Sequence, residues 1–517
     1  MKRLSLFLLI VLGGLFIVGC DNIGNENNNN SGNNGGSSGD LVLDGYEYTY
    51  SNPDFTTPKH TAISQFTYND FFNVGNTVSI DVKVSDTELR LLQADYETHM
   101  KTEIYRRADL VTITIRNNNE DFKWTFENVG IRQKGNTSRN DIYDDGDPNN
   151  LKLNHYKLSF DETFTNTEMY SNDYIKKYGN EKYATREFLG LSGFDIKWNK
   201  NYDMSHVKEI YSQMMYNAFG VIAQKAGLAI FKLNDFNYGL VTTYQKASKS
   251  LIKESLKTGT IVNMNSWDLE KSGSFGIPNE NYGDLYKASY GAGDGGCWDG
   301  ADLSNDSIKG KRVGVSNISG SYIPAYDRKT ATHIGYDDAP FKNMVNVINK
   351  KKYEDIAKVV DLEYLAIEKA VAYYVGNPDD MRYNFNNYMI YIRRIDGKAI
   401  FIPIDQDRCF GITKDWNVMN GLMYVGIFDE ECSNNQIQRN NLLLSTILNT
   451  STDCSKLYYN WVIKISESDW VKNETFNSLY NIARASYPYE EFSLYDYNYS
   501  FNEYITNKLS VVASYGK

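Results

Sequence analysis

Residues 377–411 read NPDDMRYNFNNYMIYIRRIDGKAIFIPIDQDRCFG, and this stretch decides the fold of the chain around it. Two apolar runs, YMIYI and AIFIP, flank the dipeptide Asp396-Gly397. Because Asp-Gly between apolar runs is the strongest short-range signal for a tight turn, the stretch predicts a β-hairpin. A polar loop rich in carboxylates and amides lies on either side of the hairpin. Two candidate functional loops therefore bracket it.

The two loops carry residue types that phosphoryl transfer requires. That reaction needs a carboxylate to orient the attacking hydroxyl and oxygen ligands to hold Mg²⁺ on the phosphates. Asp379 precedes Asn384 by five residues in the first loop, and Asp405 precedes Asp407 and a Phe-Gly dipeptide in the second. Protein kinases have the same order of helix, loop, hairpin and metal-binding Asp. Asn384 and Asp405 are candidate Mg²⁺ ligands, and Asp407 is either a second metal-binding carboxylate or merely a turn carboxylate.

A basic residue that binds the phosphates, paired with an acidic residue on a helix, is expected upstream. Lys157 lies in the predicted strand HYKLSF, and Glu209 lies in the first turns of a predicted helix. Apolar residues recur at helical spacing over 207–222, and Asp203 or Ser205 is suited to cap the start of that helix. Lys157 and Glu209 are therefore the candidate pair.

The remaining periodic segments predict a mixed α+β fold. A second helix shares an apolar face over 364–374 and ends at Gly376, and residues 430–517 are typical of helices. Residues 260–340 are rich in Gly, Asn, Ser and Asp and predict a long irregular insertion. Alternating runs predict an antiparallel sheet, with strands at TVSIDVKV (from Thr77), LVTITI (110–115), FKWTF (122–126), VGIRQKG (129–135), HYKLSF (155–160), LAIFKLND and YGLVTTY.

The N-terminal segment predicts a secreted protein that is held at a membrane by lipid. Residues 1–20 combine a basic start, an apolar run and Gly19-Cys20, a pattern that resembles the lipobox of bacterial lipoproteins. An ordinary signal peptide or a single membrane anchor is the alternative interpretation. Residues 21–44 are dominated by Asn, Gly and Ser and predict a disordered tether. An N-terminal extension without periodicity follows over 45–76.

Composition excludes several classes of protein. The net charge of −11 argues against a nucleic-acid partner, because such proteins carry a basic surface. Four cysteines remain after Cys20, which permits two disulfides in three pairings outside the cytoplasm. Neither they nor the five scattered histidines have zinc-ligand spacing, so structural or free thiols are favoured over a metal site.

Over roughly residues 77–430 the chain resembles the CotH kinase family, the atypical protein kinases similar to spore coat protein H. Lys134 stands where the family usually has Arg, and Gln245 stands where it usually has an acidic residue. Pro378 and Ile404 replace two Trp residues of the family pattern. The matching segments are VGIRQKGNTSR to the family's RGNSS turn, HYKLSF to YKLKF, LSGFDIKWNKNYDMSHVKEI to the segment ending in LRE, YGDLYKA to GNLYK, NPDDMRYNFNNYMIYI to NWDSYxGNxxNYYLY, and FIPIDQDRCFG to LPWDLDxxFG.

The resemblance implies an atypical protein-kinase-like two-lobed fold over 77–517. Its antiparallel-sheet N-lobe would cover about 77–250 and its mainly helical C-lobe about 341–517, with the insertion between them. It also implies ATP- and Mg²⁺-dependent phosphorylation of Ser or Thr in a protein substrate at the cell surface. The implied roles are Asp379 as the residue that orients the hydroxyl, Asp405, Asn384 and Asp407 at the metal, Lys157 on phosphate with Glu209 positioning it, Gly135, Asn136 and Ser138 in a turn over the phosphates, and Gln245 near the adenine or ribose.

Three other interpretations stay open at the level of sequence. A pseudokinase would keep the fold without chemistry. A surface binding or scaffold protein would suit a tethered, Tyr-rich domain, although it has no chemical need for Lys157, Asp379, Asn384 and Asp405 together. A glycosidase would use two of the carboxylates as acid and base and would have no use for Lys157.

Overall fold

In a computed structural model of the chain, apolar residues that alternate with polar ones or follow one another in short runs form the strands β1 to β15. The strands are Thr77–Lys83, Arg106–Asn117, Glu120–Lys134, Tyr143–Asp144, Asp147–Leu151, His155–Ser159, Gly193–Trp198, Ala226–Leu233, Phe236–Gln245, Asp284–Ala288, Arg312–Val315, Tyr322–Pro324, Tyr326–Arg328, Tyr388–Ile392 and Ala399–Pro403. The structure describes residues 46–98, 102–135, 138–144, 146–258, 283–289, 301–308, 312–315, 322–329, 338–393, 396–414, 416–417, 419–428, 441–448, 452–495 and 499–515. These residues belong to one compact unit that spans Leu41–Lys517.

Seven of the strands close into a barrel in the order β1-β2-β3-β6-β7-β9-β8. Neighbouring strands are antiparallel, except that β1 and β8 pair in parallel with Ser79 opposite Ile230. The expectation of a purely antiparallel sheet is therefore wrong at this one junction. Closure leaves none of the seven strands with an unpaired edge, which a flat sheet of the same strands would expose.

Two strands of the barrel differ from those that the sequence predicts. The runs FKWTF and VGIRQK belong to one long strand, β3. Strand β7 was not predicted, because its alternation covers only the five residues FDIKW. In β7 the apolar Phe194 and Ile196 pack in the barrel core, so Asp195 and Lys197 lie on the outer face.

A second sheet has four strands in the order β13-β10-β14-β15. The hairpin predicted around Asp396-Gly397 is confirmed as β14 and β15, with Tyr388 opposite Pro403 and Ile392 opposite Ala399. Strands β10 and β13 come from the segment 260–340 that was expected to be irregular. Part of this segment is thus built into a sheet, because Leu285, Tyr286 and Ala288 are apolar and buried.

Seven of the twelve helices in the described part of the chain lie after residue 337. The predicted helix at Gly376 is confirmed, whereas the one near Glu209 ends at Ala218 instead of continuing to 222, because Gly220 turns the chain with φ +81°. The helices α1 to α12 are Tyr68–Phe72, Asp86–Thr98, Asn172–Tyr178, Lys208–Ala218, Lys249–Thr258, Ala339–Asn349, Tyr353–Val359, Leu362–Val375, Leu442–Ile447, Asp453–Ser466, Asn473–Ser486 and Phe501–Tyr515. The α+β class and the helical character of the described residues after 430 are confirmed.

The apolar residues form two large cores. One core fills the barrel and includes Ile80, Ile113, Tyr156 and Phe194. The other lies among the helices and the four-stranded sheet and joins α4, α8, β14 and α10. Since apolar burial contributes roughly 25 cal/mol per Å², these two cores hold the barrel and the hairpin in a fixed arrangement. The functional loops are therefore carried on rigid elements.

The extension before β1 packs against the helical core. Tyr48 meets Trp461 edge to face with ring centroids 5.0 Å apart, and the indole nitrogen of Trp470 donates to the Ser51 carbonyl over 2.8 Å. Cys409 and Cys454 are buried free thiols, whereas Cys20, Cys297 and Cys432 lie outside the described residues. Within the described segments, no helix is long and apolar enough to span a bilayer.

Candidate active site

The first functional loop begins where α8 ends. Gly376 adopts a left-handed conformation with φ +61°, which is the usual way for a helix to stop. A Cβ at this position would lie 1.7 Å from the Tyr504 hydroxyl oxygen, so both conformation and space require glycine. Asn377 follows and links the two loops, because its amide nitrogen donates to the Asp405 carbonyl over 3.3 Å and its oxygen accepts from the Asp379 amide over 2.9 Å.

Asp379 is held by side-chain amides from its own loop. The Asn384 amide donates to Oδ1 over 2.5 Å, the Asn387 amide donates to Oδ2 over 3.0 Å, and the Asn386 amide lies within 3.3 Å of both oxygens. Burial raises the pKa of Asp379 to about 6, although the Asn384 amide and the charge of Arg408 oppose the rise. The carboxylate is thus fixed in orientation and titrates close to neutral pH.

The second loop directs two carboxylates at one lysine. The Lys197 ammonium lies 2.5 Å from Asp405 and 3.4 Å from Asp407, and it also lies 2.8 Å from Glu209 on α4. The Lys197 side chain is 5 % exposed, whereas Asp405 and Asp407 remain partly open to solvent, so a buried ammonium links the barrel, α4 and the loop after β15. It is the point where the three elements meet.

The electrostatics of this cluster follow from three carboxylates sharing one ammonium. Burial would lower the pKa of Lys197, but Asp405, Asp407 and Glu209 outweigh burial and raise it well above its usual value. Burial would raise the pKa of Asp405, but Lys197 and Lys134 outweigh burial and lower it. Burial raises the pKa of Glu209 to about 8 against the pull of Lys197. The cluster therefore carries more acidic than basic groups.

The expected pairing of Lys157 with Glu209 is wrong. Lys157 lies 3.4 Å from Asp195, and Glu209 pairs with Lys197 instead. The reason is the register of the strands, in which Lys157 on β6 stands directly opposite Asp195 on β7. Lys197 follows Asp195 by two residues, so it shares the outer face but lies further along the strand.

The turn after β3 begins at a glycine with positive φ and brings Ser138 back to the end of the strand. Gly135 has φ +97°, and the Ser138 hydroxyl donates back to the Lys134 carbonyl over 3.3 Å. Asn136 lies outside the described residues. Whether this turn covers phosphate stays a prediction.

Gln245 has a different environment from the one expected for a nucleotide contact. Its side-chain oxygen accepts from the Lys225 backbone amide over 3.2 Å, and its own backbone amide donates to the Lys225 carbonyl. Gln245 is buried at the end of β9 and ties that strand to the start of β8. These contacts favour a structural role over contact with adenine or ribose.

The ligand atoms available at this site suit Mg²⁺ better than a metal ion that takes all of its ligands from the protein. In the described part of the chain, no group of three or more His, Cys, Asp and Glu is arranged to hold a metal ion. Mg²⁺ usually takes one or two carboxylates and completes its octahedron with water and phosphate oxygens. Asp405 and Asp407 offer two carboxylates at one point, so they fit such an ion, and Asn384 faces Asp379 with its amide nitrogen.

Sequence reasoning missed Lys197, Asp195 and Asn386. The alternation in FDIKW was a usable signal for the first two, because charged residues between apolar ones must share the face away from the barrel core. Asn386 gave no such signal, since Asn residues in a polar loop most often form turns.

Comparisons with known proteins are consistent with this geometry. The family model for CotH kinase protein matches residues 131–484, which contain both functional loops, the strands β6 and β7, and α4. A search of curated proteins found no match.

Proposed function

Because the chain belongs to the CotH kinase protein family, we propose that it is an atypical protein kinase. It transfers the γ-phosphate of ATP, in an Mg²⁺-dependent reaction, to Ser or Thr of a surface or secreted protein. One observation carries the proposal: the carboxylates of Asp405, Asp407 and Glu209 converge on Lys197 beside the loop that orients Asp379. A strand lysine paired with a helix glutamate, next to a metal-binding Asp, is the arrangement that positions phosphates in protein kinases.

Charge balance supports a divalent cation at this cluster. The carboxylates of Asp405 and Asp407 alone outnumber the Lys197 ammonium that they share, which leaves an excess of negative charge beside a buried lysine. Asp405 and Asp407 would hold Mg²⁺, which when bound neutralises charge on the transferred phosphate. Lys197, held by Glu209, would then be free to contact the phosphates.

Asp379 has the properties of the residue that orients the acceptor. In the transfer, the hydroxyl oxygen of Ser or Thr forms a bond to the γ-phosphorus while the bond from that phosphorus to the bridging oxygen of ADP breaks. The hydroxyl proton passes to Asp379. A carboxylate held by the amides of Asn384, Asn386 and Asn387, with its pKa raised to about 6 by burial, is ionised at neutral pH yet able to accept that proton.

The proposal extends to architecture and location. The barrel would serve as the N-lobe and the helical remainder as the C-lobe of a kinase-like fold. The lipobox-like segment before Cys20 and the tether 21–44 support attachment to the outer side of a bacterial cytoplasmic membrane through lipid. Incorporation of labelled fatty acid in cells, lost in Cys20→Ser, tests the attachment.

The experiment on activity is incorporation of labelled γ-phosphate with Mg²⁺, either into the protein itself or into a generic acidic substrate. Asp379→Asn and Asp405→Asn keep the side-chain shape, and Asp235→Asn on an exposed turn is the matched control. We expect label in the wild type and the control and none in the two site variants. ATP-dependent thermal stabilisation without label would favour a pseudokinase. The absence of both label and stabilisation would favour a binding or scaffold protein.

A further inference from the structure

The N-terminal extension, residues 46–76, contacts the C-terminal end of α4. The Ser51 amide donates to the Ala218 carbonyl over 2.9 Å, and this carbonyl is one of those that a helix leaves without an internal partner. Next to Ser51, the ring of Tyr50 stacks on that of Phe219 with centroids 4.9 Å apart. The extension therefore fixes the end of α4 by a hydrogen bond and a ring contact.

A second contact reaches the start of α4 through Tyr211. This residue lies two positions after Glu209 and is fully buried. Its ring packs against Phe55 of the extension with centroids 6.4 Å apart, and against Phe410 of the second functional loop with centroids 6.0 Å apart. Its hydroxyl donates to the Trp470 carbonyl over 2.7 Å, and the Trp470 indole donates in turn to the extension. The first turn of α4 is therefore in contact with both the extension and the loop after β15.

The extension also packs on the barrel, at the strand that carries Lys197. Phe71 in α1 is fully buried and contacts Phe194 on β7 with ring centroids 4.7 Å apart. The next residue, Phe72, lies so close to β8 that a Cβ on Gly227 would come within 2.7 Å of its Cα. One continuous segment thus contacts both β7 and α4, the two elements that form the buried ion pair at Lys197.

The ion pair of Lys197 with Glu209 is sensitive to the placement of these two elements. The side chains extend from β7 and α4 and meet over 2.8 Å. Since a donor and an acceptor separated by more than about 3.5 Å no longer form a hydrogen bond, a shift of α4 by roughly 1 Å would break the contact. The position of α4 therefore decides whether the pair forms.

We infer that the extension positions α4, so that Glu209 stays within hydrogen-bond distance of Lys197. Ser51, Phe55 and Phe71 are then positioning residues, which act through the ion pair. That the pair serves phosphate transfer rests on the proposed function, whereas the placement of α4 can be measured without any nucleotide. The role falls to residues that precede the segment matched by the family model.

Hydrogen exchange in the full chain, followed by mass spectrometry of its peptides, tests the placement of α4. Phe55→Ala removes the ring that contacts Tyr211 and should speed exchange in α4 roughly two-fold to ten-fold, the factor that corresponds to one aromatic pair. Exchange in α6, a helix of the same core, should not change. Phe55→Leu keeps an apolar contact and should exchange nearly as the wild type does. Phe126→Ala removes a half-buried ring that packs on Phe160 in the barrel, and as the matched control it should leave α4 unchanged.

A double-mutant cycle with Glu209→Gln separates positioning from a general loss of stability. Phosphate transfer from Mg²⁺–ATP is measured for Phe55→Ala, Glu209→Gln and the double variant. If Phe55 acts through Glu209, Phe55→Ala should lower kcat/KM for ATP in the wild-type background and have no further effect in the Glu209→Gln background. Thermal melting of each variant checks that it is folded.

The outcomes distinguish this inference from the proposed function. Unchanged exchange in α4 of Phe55→Ala, or exchange that rises equally in α4 and α6, refutes positioning and leaves the kinase proposal standing where the wild type transfers phosphate. An equal loss of transfer in both backgrounds of the cycle also refutes positioning. If the wild type neither binds ATP nor transfers phosphate, but α4 exchanges as expected, the placement of α4 stands and the kinase proposal fails.

Discussion

Replacement of Lys197 tests the ion-pair assignment, because two lysines on adjacent strands compete for the same role. Lys197→Met leaves Glu209, Asp405 and Asp407 without their shared ammonium. Lys157→Met leaves Asp195, which keeps a second lysine 3.1 Å away. Met preserves most of the side-chain stem in both variants, so the comparison isolates the charge.

The two variants should change the free energy of unfolding in opposite directions and by different amounts. Removal of one partner from a buried ion pair costs about 3–5 kcal/mol, which we expect for Lys197→Met. Lys157 has its pKa lowered from 10.5 to about 7, so the folded state binds fewer protons than the unfolded state between these pH values. Its charge therefore opposes folding below pH 7, and the penalty disappears as pH rises toward 10.5.

The size of the effect at Lys157 follows from the same shift. The full shift corresponds to an upper limit of about 5 kcal/mol. The side chain is 14 % exposed, and partial solvation reduces that limit. We expect Lys157→Met to stabilise the ligand-free protein by roughly 1–2 kcal/mol at pH 7 and by almost nothing above pH 10.

Urea unfolding followed by circular dichroism at pH 7 and pH 10 measures both effects. A double-mutant cycle with Glu209→Gln adds the pairwise test, since residues in contact are coupled and separated ones are nearly additive. We expect coupling of Glu209 to Lys197 and additivity with Lys157. Equal destabilisation by Lys157→Met and Lys197→Met, or coupling of Glu209 to Lys157, would refute the assignment.

Three further predictions concern the loops and the metal. Asn386→Ala removes an amide that lowers the pKa of Asp379, so the acid limb of the pH–rate profile, expected near pH 6, should move to higher pH in measurements of phosphate transfer. Gly376→Ala forces a positive φ on a residue with a Cβ that meets Tyr504, and urea unfolding should show a loss of about 1–3 kcal/mol. Chelation of divalent cations should leave the melting temperature of the ligand-free protein unchanged and abolish its increase with ATP, as thermal melting can show.

The hairpin and its two loops could be predicted because local signals determine them. Asp396-Gly397 between apolar runs specifies the turn, and the helix before Asp379 ends at a glycine in the left-handed conformation. Asp379 and Asp405 then lie on neighbouring loops through chain connectivity alone. Asn377 bridges the two loops by hydrogen bonds to both, and these bonds need no contact from distant parts of the chain.

The lysine that pairs with Glu209 could not be predicted in the same way. Which lysine meets Glu209 depends on the register of β6, β7 and β9, and register is set by pairing between strands that are distant in sequence. A shift by two residues along β7 exchanges Asp195 for Lys197 on the same face. The place of β10 beside the hairpin likewise depends on pairing between distant segments, which a Gly- and Asn-rich neighbourhood does not reveal.

Both functional loops hold residues other than glycine in the left-handed region of backbone conformation. Phe385 and Asn387 in the first loop have φ of +50° and +51°, and Asp405 and Phe410 in the second have φ of +57° and +46°. Such conformations cost of order 1–3 kcal/mol each in residues with a Cβ, and they persist only where surrounding contacts impose them. Two of these residues belong to the loop whose asparagine amides orient Asp379. A third, Asp405, is itself a carboxylate paired with Lys197. Similar conformations occur far from the loops, for example at Phe164 and Leu189, so backbone strain supports the site only together with the side-chain contacts that hold these carboxylates in one geometry.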